Sequence, residues 1–194
     1  MQRQELVYLE LLSKACEGDR RATQAGLAAS LAISLSTVHH ALGPLRRMGA
    51  VEVKRRSLTV LDPRKLLYHW ASVRTLSRDI VYATRVEASV MEIEKEMPPG
   101  TMYTAYSGYR LRFGDAPADY SEVYAYARPE ECRKRFPPRP GQPNLFILGT
   151  DKALERHGSL APLPLLFVDL WNIDTWYAKD FLRALEERLH GILE

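Results

Sequence analysis

The 194-residue chain is poor in the features that would announce a mechanism directly. It has two cysteines, Cys16 and Cys132, far apart and without metal-ligand spacing. That argues against a disulfide framework and suits a reducing cytoplasm, where the protein is expected to reside. No apolar run approaches the roughly 20 residues that span a bilayer, so no membrane partner is expected. Glu5 and Glu10 interrupt the apolar character of the N-terminus, which is therefore not read as a signal peptide. P-loop, Gly-x-Ser-x-Gly, His-Glu-x-x-His and Cys-x-x-Cys patterns are missing, as are solenoid-length repeats and low-complexity tracts. No cofactor is expected. Neither sign of charge dominates, with 27 Lys and Arg against 24 Asp and Glu and a net of only +3.

The distribution of that charge is more informative than its size. Residues 1–62 hold nine Lys and Arg against six Asp and Glu, whereas residues 63–194 hold eighteen of each. The whole excess sits at the N-terminal end, the arrangement of a nucleic-acid-binding module joined to a neutral domain.

Periodicity divides the N-terminal part into helix, helix, helix and hairpin. Leu6, Leu9, Leu12 and Cys16 mark a helix over 3–17, ended by Gly18-Asp19. Thr23 caps a second over 24–31, and Ser36 is read as the cap of a third that carries Thr37 to Leu45. Gly43-Pro44 within the third predicts either a kink or a stop at Leu42. Two alternating runs, 51–54 and 57–61, joined by Arg55-Arg56, read as strands. Asp62-Pro63 marks a boundary.

The stretch 22–62 resembles the winged helix-turn-helix of small transcription regulators. The resemblance implies that double-stranded DNA is the partner, with the third helix in a major groove. Ser36, Thr37, His39 and His40 are then the groove-facing candidates, and Arg46, Arg47, Lys54, Arg55 and Arg56 the phosphate contacts. A metal role for His39-His40 is not expected, because no third ligand is near in sequence. Two-fold operators imply a homodimer.

The rest of the chain is expected to start with a linker helix in 63–79, where Leu66, Trp70, Val73 and Leu76 share a face. A domain over 80–194 then opens with a helix over 79–97, stopped by Pro98-Pro99-Gly100. Strands are expected at 102–106, 123–127, 145–148 and 165–170, and a closing helix at 175–190 capped by Asp174. Trp171, Trp176 and Tyr177 are expected to anchor that helix. The fold class is α+β: a winged helix-turn-helix at 1–62, then a mixed α/β domain.

Ser107-Gly108 after a strand, followed by Asp119 and Glu122, resembles a nucleotidyltransferase fold. Such enzymes hold a triphosphate on a Gly-Ser turn and Mg²⁺ on two carboxylates at i and i+2 of one strand. Here Ser121 stands at i+2, so the resemblance implies a degenerate, non-catalytic domain with no catalytic residue. The rival is an active Mg²⁺-dependent transferase using Asp119, Glu122 or Asp169. A third reading is a ligand-sensing regulator with Tyr103, Tyr106, Tyr109, Tyr120, Tyr124 and Tyr126 around a pocket, although a half-exposed sheet face accounts for the same tyrosines. Winged helix plus such a domain resembles the AbiEi group of type IV antitoxins, which implies a self-repressing regulator with a toxin protein as partner.

Overall fold

The computed structural model describes residues 1–193 in two compact units, 1–74 with 186–193 and 75–185. In the first unit, α1 (Arg3–Cys16) packs against both α3 (Leu35–Arg47) and α4 (Pro63–Val73). It therefore buries more than one stripe: Leu6, Val7, Leu9, Leu11 and Leu12 are all inside. Tyr8 ties α1 to α3 by donating to the Ala41 carbonyl at 3.2 Å, and its ring meets Trp70 of α4 edge-on. The short α2 (Gln24–Ser30) precedes α3.

The wing is a three-stranded sheet, one strand more than the hairpin expected. Strands β2 (Val51–Val53) and β3 (Leu58–Val60) pair antiparallel, and β1 (Arg21–Ala22) adds on the far side of β3. The stretch expected as a linker begins with α4, whose N-cap Asp62 accepts from Lys65 N at 2.9 Å and whose first residue is Pro63. Leu66, Leu67 and Trp70 bury α4 in the first unit, while Val73 is exposed and Leu76 belongs to a short 3-10 turn, Leu76–Asp79.

The second unit is built on a mixed sheet in the order β4-β7-β6-β5. Its strands are β4 (Ile80–Thr84), β5 (Met102–Thr104), β6 (Val123–Ala127) and β7 (Leu145–Gly149), with only β6 and β7 parallel. Alternation along the parallel pair feeds two cores. Val123, Ala125, Leu145 and Ile147 meet Ile93 and Met97 from α5 (Val90–Glu96) and its end, and Cys132 and Phe136 from α7 (Pro129–Arg135) and its end. On the other face Tyr124 stacks on Phe146 with centroids 4.6 Å apart, and α6 (Ala105–Phe113) and α9 (Leu163–Trp171) cover the sheet. A short α8 (Lys152–Glu155) follows β7. The closing α10 runs Ala178–Leu193, its first residues counted with the second unit and its last with the first.

Three expected elements of the second unit change type or length, each for a local reason. The helix expected over 79–97 is strand β4 and then α5, because Ser89 and Glu92 form a capping box that starts a new helix. The strand expected at 102–106 stops at Thr104, where Ala105 takes a left-handed φ of 49° and opens α6. The run 165–170 is helical, not extended: prolines at 162 and 164 preset its first turn, and it is buried along its length. The closing helix also starts later than expected. Trp176 lies outside it at 77% exposure and Trp171 is largely exposed, so Tyr177 alone of the three is buried.

Candidate nucleic-acid interface

Two caps and one strained turn set α2 against α3. Thr23 Oγ1 accepts from Gly26 N at 2.9 Å, and Ser34 Oγ accepts from Thr37 N at 3.0 Å. Between them Ala32 has a φ of 52°, in the left-handed region that costs an L-residue roughly 1–2 kcal/mol. Ile33 N donates back to the Ala28 carbonyl at 3.0 Å, which closes α2 and redirects the chain.

Ser34, not Ser36, is thus the N-cap of the third helix, because the chain is already helical at Leu35. Thr37 is half-buried, and its hydroxyl is hydrogen-bonded to Ser34 at 2.8 Å. The stop expected at Leu42 does not occur. The helix continues to Arg47 with Pro44 inside it. Proline removes the single bond to the carbonyl four residues back, which belongs to His40 on the exposed side of the helix.

Burial splits α3 cleanly. Val38, Ala41, Leu42 and Leu45 face the core, while Leu35, Ser36, His39 and His40 are exposed at the i, i+1, i+4, i+5 spacing of one face. His40 is pinned within that face: its Nδ1 lies 2.8 Å from the Ser36 carbonyl. A carbonyl only accepts, so Nδ1 carries the hydrogen, and the neutral ring keeps Nε2 as its acceptor. Arg46 and Arg47 stand exposed in the last turn, where cations complement the helix dipole.

The wing turn is closed by Lys54 N donating to the Ser57 carbonyl at 2.8 Å. Lys54 pairs with Glu52 at 2.9 Å on the surface, whereas exposed Arg55 and Arg56 have no side-chain partner among the described residues. Strand β1 adds a cation that sequence reasoning missed. Arg21 pairs in register with Thr59, and it lines a shallow groove together with Lys14, Thr23 and Arg56. A two-residue strand paired across more than thirty positions leaves no periodic signal.

The carboxylates of the second unit are arranged differently from the sequence expectation. Asp119 is exposed in the loop before β6, not on a strand, so the i and i+2 argument does not apply to it. Glu122 accepts from the Tyr177 hydroxyl. Asp169 is fully buried on α9, accepting from Thr104 Oγ1 at 2.7 Å and from Tyr126 at 2.9 Å. Among the described residues no three His, Cys, Asp or Glu side chains gather as metal ligands. Ser107 and Gly108 lie inside α6 and are buried. A Cβ on Gly108 would come within 2.9 Å of Leu166 Cδ1 and of the Tyr103 carbonyl, so this glycine serves close helix packing, not an open phosphate turn.

The tyrosines are also largely used up by packing. Tyr106, Tyr109, Tyr124 and Tyr126 are buried, and the Tyr106 ring meets Tyr120, Tyr124, Tyr177 and Phe181. Tyr120 accepts from Arg110 at 2.8 Å and donates to Glu94 at 3.2 Å. Burial pushes the thiols of Cys16 and Cys132 up to about 11, so both stay protonated at neutral pH.

Helix, helix, turn, exposed helix and basic wing now stand in order. Residues 6–68 match the Crp-like helix-turn-helix domain. The match covers about a third of the chain and takes in α1 through α3, the wing and the start of α4. It marks the N-terminal unit as a module of DNA-binding regulators. No curated protein and no solved structure matches the chain. No helix among the described residues is long and apolar enough to cross a membrane.

Proposed function

We propose that the chain is a sequence-specific, double-stranded DNA-binding transcription regulator. The observation that carries the proposal is the exposed face of α3, bearing Ser36, His39 and His40 and followed by Arg46 and Arg47. The α3 face reads base edges in a major groove, and Arg55, Arg56 and Arg21 neutralise phosphates. Thr37, half-buried and bonded to the cap residue Ser34, holds the start of α3. A homodimer is the form that fits a two-fold operator.

The finer form of this reading is a self-repressing antitoxin of the AbiEi kind, with a toxin protein as partner. Its support is the order of a winged helix followed by an α/β unit. In this reading the second unit performs no turnover. Nucleotide transfer that needs Mg²⁺ and disappears in Asp119→Asn would contradict that part alone.

Binding of the full chain to its own upstream region, against random duplex over a salt series, tests the main reading. Tight, salt-sensitive and preferential binding is expected. Arg55→Ala and Arg56→Ala should weaken binding on every sequence and lower the salt slope by about 0.9 each. His39→Ala should instead reduce the preference for the upstream region. No binding at low salt would make the N-terminal unit a protein-contact module.

A further inference from the structure

One exposed residue of the α3 face is not polar. Leu35, the first residue of the helix, is 55% exposed, although the other apolar residues of α3 on the same unit are buried. It does not serve the core: Val38, Ala41, Leu42 and Leu45 make that contact. Its position is fixed, because Ser34 caps the helix immediately before it and the Ala32 turn sets where the helix begins. Leu35 lies four residues before His39 and next to Ser36, so it belongs to the same outward ridge as the candidate base readers. Arg46 and Arg47 on this helix, and Arg55 and Arg56 on the wing, supply the charge that a polyanion needs. An uncharged aliphatic side chain at the leading end of such a helix has one apolar counterpart in a major groove, the C5-methyl of thymine.

We infer that Leu35 is a specificity-determining residue that reads the thymine methyl group in the target site. The inference rests on the DNA-reading proposal and deepens it: the partner surface contains a T·A pair at the position facing the start of α3. The polar neighbours read hydrogen-bonding edges, and Leu35 tells thymine from cytosine and from uracil, neither of which carries that methyl.

The test uses duplexes selected by the full-length protein from a random library, each thymine then replaced singly by deoxyuridine. One position should lose about fourfold in affinity, the scale of one buried methyl-sized group. Leu35→Ala should bind the thymine duplex more weakly and be indifferent to deoxyuridine at that position, while keeping its response to salt. Leu35→Met, which retains an apolar side chain, should keep the discrimination. Circular dichroism and melting should be unchanged, since the side chain is outside the core. If a preferred duplex is selected but no deoxyuridine substitution weakens it, or Leu35→Ala still discriminates, Leu35 does not read the methyl and the DNA-reading proposal stands. If no duplex is selected at low salt, both fail together.

Discussion

The two units spend their polar side chains in opposite ways. In the first, Ser36, His39, His40, Arg46, Arg47, Arg55 and Arg56 are all exposed, and the cores of α1, α3 and α4 are almost wholly apolar. In the second, the groups with the most chemical potential are turned inward: Asp169 accepts from Thr104 and Tyr126, and Glu94 accepts from Arg110 and Tyr120. A polar group whose bonds are completed by its own chain has little left for a partner, and a buried one must be completed. A list of acids and tyrosines therefore says little about function until burial is known. The Glu5–Arg74 pair is the exception that ties the first unit to the inward pattern. Its side chains are 5% and 0% exposed at a distance of 3.1 Å, and Glu5 also accepts from Gln2 N.

That exception gives the largest expected effect. Arg74→Met leaves Glu5 buried without its cation, and a broken buried pair of this kind costs about 3–5 kcal/mol. Urea unfolding should show the loss in the first unit; a loss under about 1 kcal/mol would mean that water reaches Glu5. Next comes Asp169→Ala, which removes the acceptor of the buried Thr104 hydroxyl and the hydrogen bond from Tyr126. Roughly 1–3 kcal/mol is the expected scale for the buried hydroxyl that loses its acceptor. Below the new melting temperature DNA affinity should be unchanged, and a parallel loss of affinity at full folding would give Asp169 a place in binding.

A smaller gain is expected from Ala32→Gly, since glycine adopts the left-handed turn without the Cβ clash. Stability should rise by about 1 kcal/mol, read as a higher urea midpoint, with operator preference retained. The smallest effect concerns acid. Burial, and then the charge of Arg47, hold the imidazole of half-buried His69 below its ordinary range. Folding therefore favours the neutral ring, and this contribution is full above the usual histidine value and lost as pH falls through the folded one. His69→Phe should flatten the stability profile slightly on that acid side. An identical slope in both proteins would show that His69 contributes nothing to it.

Much of the N-terminal unit was legible because its signals are local. The Leu6, Leu9 and Leu12 spacing, the Thr23 cap and the alternating runs around Arg55-Arg56 each act within a few residues. The cap of α3 was misplaced by two positions because Ser34 and Ser36 are chemically alike. Arg21 stayed hidden because its partner strand lies far along the chain. In the second unit the short apolar runs carried no period. Residues 165–170, expected as a strand, form a buried helix, and Ser107-Gly108, expected as a turn, packs inside α6, since a short apolar run does not distinguish the two buried elements.

Sequence alone determined that a basic, helix-rich module leads a charge-balanced mixed domain, because composition and short-range periodicity survive without a fold. Tertiary structure alone decided which polar residues are available. It turned Leu35 outward and Thr37 toward its cap, brought Arg21 beside the wing, and closed Asp169, Thr104 and Tyr126 on one another. Exposure depends on which distant segments pack together, and no window of neighbouring residues contains that information.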